Sequence, residues 1–240
     1  MQQAIPQSVH TLRENREAVG LTAGVFGIYA GVLGIEHGFF ETLQGNVAPA
    51  HLKIFAVSPW ELPFPFGHEP AMTVILNFLV TGVAAMLCGL AIILWSTRFL
   101  HGRRGGAVLS LLSVILLLVG GGFGPISLLV IACIAASRIG KPLKLWRALI
   151  PPGLRRALAR TWSWWLVASL LWVPAEFVAG QIFHVSNDHR QSLTNLNLLL
   201  SYPMLMLFVL TLIAGLAREI EKREGHRDSM ELTASRDRSA

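Results

Sequence analysis

Four apolar stretches, at about residues 20–42, 71–96, 161–183 and 196–217, decide what this chain can fold into. Crossing a hydrocarbon core of about 30 Å takes about 20 helical residues at 1.5 Å each, and all four stretches are that long. Lipid offers no partner to an open backbone, so a spanning segment must close its own hydrogen bonds, as a helix does. The expected fold is therefore all-α, a polytopic transmembrane helix bundle. Composition agrees: only 14% of the residues are charged, against roughly 25% in soluble domains.

A fifth apolar region, 106–138, is interrupted by Gly120-Gly121-Gly122-Phe123-Gly124-Pro125. Basic residues decide how it runs. If it crosses once, segments 1–19, 97–105 and 184–194 share a side with six Lys/Arg, and fourteen lie opposite. If the chain turns back at the glycines, 1–19, 97–105, 138–160 and 218–240 lie together with eighteen of the twenty, leaving Lys53 and Arg190 opposite. Short loops rich in Lys/Arg stay cytoplasmic, which favours the second arrangement. It gives four full spans plus a glycine-broken hairpin, 106–121 and 125–138, six membrane helices in all, the hairpin being two short crossings or a re-entrant pair. Glycine supplies the positive φ of a tight turn, and Pro125 suits the first turn of the returning helix. Trp95, Trp146, Trp162, Trp164 and Trp165 fall at the cytoplasmic interface so defined, where amphipathic rings are favoured.

The flanking segments follow from this topology. Residues 1–19 and the charged tail 218–240 are expected in the cytoplasm, the tail extending the last helix briefly and then fraying. The first apolar run exceeds the roughly 7–15 residues of a signal-peptide core, so it reads as a retained helix. Segment 141–160, basic and broken by Pro151-Pro152, is expected to rest on anionic lipid headgroups. The net charge of +6 does not imply a nucleic-acid partner, because the cations are confined to loops between apolar spans. Cys88 and Cys133 lie inside apolar stretches without metal-ligand spacing.

On the first span Gly24, Gly27, Gly31, Gly34 and Gly38 recur at spacings of three and four and form one stripe, which Glu41 continues. Small residues let helices approach closely in lipid, so the stripe reads as a packing seam, with a substrate groove as the alternative. Counted from the helix ends, Glu36, His37 and Glu176 share a height, and Asn77, Ser201 and Tyr202 come to a similar depth. Thr73, Asn77 and Thr81 read as one helical stripe, and Glu176, Gly180 and His184 as another. An ionised carboxylate in hydrocarbon costs at least ~2.5–3.5 kcal/mol on insertion scales, so Glu36 and Glu176 are expected to point inward. The candidate substrate or proton site is thus Glu36, His37, Glu41, Asn77, Glu176, His184, Ser201 and Tyr202, a polar layer open to the outside. The alternative is a set of interhelical hydrogen bonds that lock the bundle. Pro174 and Pro203 are expected to kink their helices near this layer.

The outer loop 43–70 ends in a Pro- and aromatic-rich run from Pro59 to Pro70, expected to be stiff and extended. Its His68 and Glu69, with His37 and His184, form the best available ligand set for a divalent metal, but no HExxH spacing accompanies them. No cofactor is expected.

The runs Gly34-Ile35-Glu36-His37-Gly38, Glu41-Thr42-Leu43-Gln44-Gly45, His68-Glu69-Pro70-Ala71-Met72-Thr73 and Gly120-Gly121-Gly122-Phe123-Gly124-Pro125 resemble, over roughly residues 20–140, small prokaryotic polytopic membrane proteins. The resemblance implies a prokaryotic plasma-membrane location. It carries no activity, and no functional residue is taken from it. Three functions fit the sequence: a small transporter or channel-like protein for protons, a cation or a small polar solute; a structural or accessory membrane subunit; and a membrane-embedded His/Glu metal-dependent enzyme. The enzyme reading is the weakest, since no nucleophile or metal motif is present.

Overall fold

Long apolar runs become helices, and glycine sets how near they come. A computed structural model describes the backbone at residues 17–55, 70–186 and 190–237, and the side chains there apart from 176–177, 179–201 and several positions beyond Arg227. Among these residues the elements are α1 (Ala18–Thr42), β1 (Lys53–Phe55), β2 (Pro70–Met72), α2 (Phe78–Arg98), α3 (Gly105–Leu118), α4 (Phe123–Ala136), the short α5 (Lys144–Leu149), α6 (Pro152–Ser186) and α7 (Arg190–Asp237). Among the described residues the chain is all-helical apart from one two-stranded ribbon. Among the described residues three helical stretches are long and apolar enough to cross a membrane: α1, α2 and Tyr202–Arg227 of α7. Of the four full spans expected, three are found among the described residues; the stretch 161–183 lies within α6, whose side chains are described only in part. The hairpin helices α3 and α4 have 14 residues each, about 21 Å at 1.5 Å per residue.

Side-chain contacts fix the direction of each helix. A methyl group on Gly31 would stand 2.8 Å from the Gly89 carbonyl oxygen, and one on Gly38 2.6 Å from that of Gly82. Climbing α1 therefore descends α2, and the two backbones touch where neither has a side chain. In the hairpin Gly106 lies against Ala136 and Ser137, and Ser113 Oγ is 3.4 Å from Cys133 Sγ, so α3 and α4 are antiparallel. The chain does reverse at the triple glycine. Trp162 Nε1 donates to Thr22 Oγ1 at 3.0 Å and Tyr29 OH to the Leu170 carbonyl at 3.2 Å, so α6 runs parallel to α1. The Phe26 and Phe208 rings meet edge-on at 5.4 Å, and Glu219 Oε2 accepts from Ala18 N at 3.0 Å, so α7 returns. Helix α1 is central, packed on α2, α4 and α7. Its core neighbours include the fully buried Ile92, Leu109, Leu116 and Leu128. Leu87, Leu94, Leu111 and Leu171 are exposed on the outside, as lipid-facing positions are.

Three boundaries differ from expectation. Residues 70–72 pair with 53–55 as an antiparallel ribbon, so α2 starts at Phe78 and not at 71. Pro152 opens α6 nine residues ahead of the expected 161, a first-turn position where its missing N–H costs nothing. The last helix does not fray soon after 217 but continues to Asp237, and as far as Glu224 its charges are docked. Arg155 Nε donates to Glu221 at 2.5 Å and its Nη2 to Glu224 at 2.6 Å. Arg147 pairs with Glu224 at 2.8 Å, and Arg223 bonds Glu219, Glu17 and the Lys141 carbonyl.

The molecule thus has two ends. A basic end gathers Glu17, the α2–α3 loop, 137–160 and the start of the tail. A turn end gathers the last turns of α1, the ribbon and Gly120–Gly122. Arg147 belongs to the first and Lys53, on β1, to the second.

Candidate functional site

His37 and Glu41 lie one turn apart on the face of α1 that meets the hairpin. Their exposures are 3% and 0%, and His37 Nε2 stands 3.7 Å from Glu41 Oε1, beyond hydrogen-bond reach. Among the described residues neither His37 Nε2 nor either Glu41 oxygen has a hydrogen-bond partner. Buried polar groups are nearly always paired, and an unpaired one costs about 1–3 kcal/mol, more if charged.

The glycine turn covers this pair. Gly120 and Gly122 have φ of +88° and +76°, a region that side-chain-bearing residues rarely enter. Space makes the same demand: a Cβ on Gly120 would run into the Glu41 carboxylate, and one on Gly122 would stand 2.9 Å from His37 Nδ1. Glycine is required here twice over, for backbone shape and for room. The turn is held in place by the chain leaving the ribbon. Val74 N donates to the Leu118 carbonyl at 2.9 Å and Gly120 N to that of Met72 at 3.0 Å. The Thr81 hydroxyl donates to the Val119 carbonyl at 2.8 Å and lies 2.5 Å from that of Thr73.

Other expected site residues fall elsewhere. Glu36 is exposed, which corrects the expectation that it points inward. It lies only six residues before the end of α1, about 9 Å along the axis, where a flexible carboxylate reaches the helix end. Asn77 does not share a helical stripe with Thr73 and Thr81. It caps α2, accepting from Val80 N at 3.1 Å and donating to Asn46, because a helix start needs an acceptor for its free N–H groups. Tyr202 is 70% exposed. The side chains of Glu176, His184 and Ser201 lie outside the described residues, as do His68 and Glu69. Among the described residues no three His, Cys, Asp or Glu side chains gather as a metal site would require.

The structure thus brings together His37, Glu41 and the hairpin turn. Glu36 and Glu41 were separable in the sequence, since Glu41 lies on the glycine stripe and Glu36 nearly opposite. The stripe also splits: Gly31 and Gly38 meet α2, whereas Gly34 lies against Leu116 of α3. That second face is the one Glu41 extends.

Fold and site together define an all-helical protein with membrane-length apolar helices and a sealed His–Glu pair under a glycine turn. No family model matches the chain, and no curated protein and no solved structure is significantly similar to it.

Proposed function

We propose that this chain is a small integral membrane protein that binds and passes a proton or a small cation at His37–Glu41, with Gly120–Gly122 as the cover over the pair. The observation that carries the proposal is the set of three buried polar atoms, His37 Nε2 and both Glu41 oxygens, without hydrogen-bond partners among the described residues. A carboxylate sealed from water and lacking donors is completed by a bound proton or a cation. Ionisable groups inside membrane proteins are rare and mark ion pathways and proton relays. The cover is backbone alone at the two points nearest the pair, so a small displacement of the turn uncovers them without moving a side chain. With the basic end held in the cytoplasm of a prokaryotic cell, the turn end faces outward and both termini lie inside. Segment 141–160 rests on anionic headgroups in that orientation.

A second reading, a structural or accessory subunit, is favoured by the glycine contacts between α1 and α2, which serve packing alone. Reconstitution separates the two. In proteoliposomes carrying an internal pH dye or a cation dye, the wild-type chain passes protons or a small monovalent cation, and Glu41→Gln abolishes that flux while the protein stays folded. Wild-type vesicles as tight as empty ones to protons and monovalent cations would reject transport and leave the structural reading.

A further inference from the structure

At the basic end a cleft of about 440 Å³ opens between the α2–α3 loop and the end of α4. That is within the range of small-ligand sites, about 300–1,000 Å³. His101 and Arg103 form one wall, Lys141 the other, and Ala107 and Ser110 of α3 the floor; among the described residues no Asp or Glu lines it. Among the described residues neither Arg103 nor Lys141 has a carboxylate within ion-pair distance. Further along this end, Arg147, Arg155 and Arg223 are each paired with Glu. Cations that converge on a cleft without acids are the complement of an anion.

Both walls are fixed. A Cβ on Gly20 of α1 would stand 2.8 Å from His101 Nε2, so the imidazole rests directly on that helix. The Lys141 wall is tied by its backbone: Gly140 N donates to Glu17 Oε2 at 3.1 Å, and Arg223 Nη1 to the Lys141 carbonyl at 2.8 Å. Such anchoring lowers the ordering cost of binding.

The geometry points to a binding site for the phosphate of an anionic phospholipid headgroup in this cleft, separate from the basic surface of α5 and early α6. What selects a lipid over a soluble phosphate is the continuation of the floor. From Ala107 and Ser110 the same side of α3 runs on to Leu111 and Val114, 59% and 52% exposed. Acyl chains descending from a headgroup in the cleft cover that apolar strip, whereas a free phosphate leaves it bare. The site rests on the membrane reading of the chain and is independent of ion passage.

The test is binding of phosphatidylglycerol to purified detergent-solubilised protein, followed by native mass spectrometry, with phosphatidylcholine of the same chains as reference. Wild-type protein is expected to prefer phosphatidylglycerol. Arg103→Gln with Lys141→Gln should weaken that binding roughly twenty-five-fold, from about fivefold for each cation removed near an anionic surface. Lys53→Gln with Arg227→Gln, outside both the cleft and segment 141–160, should change it less than about twofold, although it removes equal charge. Ala107→Trp fills the cleft without altering charge, and it should lose the preference too. Equal weakening by both double variants, no preference in the wild type, or retention by Ala107→Trp would overturn the site. Displacement of the lipid by millimolar inorganic phosphate would overturn its assignment to lipid. None of these outcomes depends on flux, so failure here is distinct from failure of the transport reading.

Discussion

The two ends of the bundle treat buried charge in opposite ways. At the basic end Arg155 is 8% exposed, and its guanidinium meets Glu221 and Glu224. At the turn end Glu41 is fully buried and is offered no donor among the described residues. Both ends need glycine or proline to shape the chain, so turn chemistry is not what separates them. The difference lies in satisfaction. A charge with partners ties elements together, as the docked start of the tail does, whereas an unpartnered acid leaves room for an ion.

That contrast can be broken by substitution at each end. The largest effect is expected at the turn: Gly120→Ala combines ~1–2 kcal/mol for a left-handed backbone with ~1–3 for crowding Glu41. Denaturant unfolding in detergent should show a loss of about 3 kcal/mol, unaffected by salt. At the basic end Arg155→Ala should cost about 2 kcal/mol, from hydrogen bonds to charged groups worth ~1.5–3. Its partners are partly exposed, so the loss should shrink in about 1 M salt, where the Debye length falls to about 3 Å. Salt sensitivity at the turn end in place of the basic end would reverse the comparison. Smallest is the change in unfolding free energy of Glu41→Gln. It should stay within about 1 kcal/mol, because no bond to the carboxylate is lost; a loss as large as that of Arg155→Ala would mean that Glu41 is a structural partner.

Much of the architecture was legible because long apolar helices and the charged segments between them expose their logic in length and charge. The apolar runs mark the helices, and the distribution of Arg and Lys implies the reversal at Gly120–Gly122 that the α3–α4 contacts bear out. Other features depend on pairing across long separations. Gly82 and Gly89 sit seven residues apart, as do Gly31 and Gly38, yet the match appears only once α1 and α2 are set antiparallel. Three-residue strands show no period, so the pairing of Lys53 with Met72 left no trace in the sequence. The tail reads as solvated charge, because its partners lie 66 and 69 residues earlier at Arg155. At the site, insertion cost alone drew Glu36 inward. Its nearness to the helix end releases that constraint, while the stripe of glycines marks Glu41 as the buried acid.

The reversal of the chain at its glycine turn is what places that turn over His37 and Glu41. In a background with Cys88 and Cys133 replaced by alanine, single cysteines at Val47, Arg103 and Leu149 can be probed with a membrane-impermeant maleimide in sealed vesicles of known orientation. Positions 103 and 149 should label from one side and position 47 from the other. Labelling of 103 and 149 from opposite sides would mean a single crossing between them, and the glycine turn would no longer cover the pair.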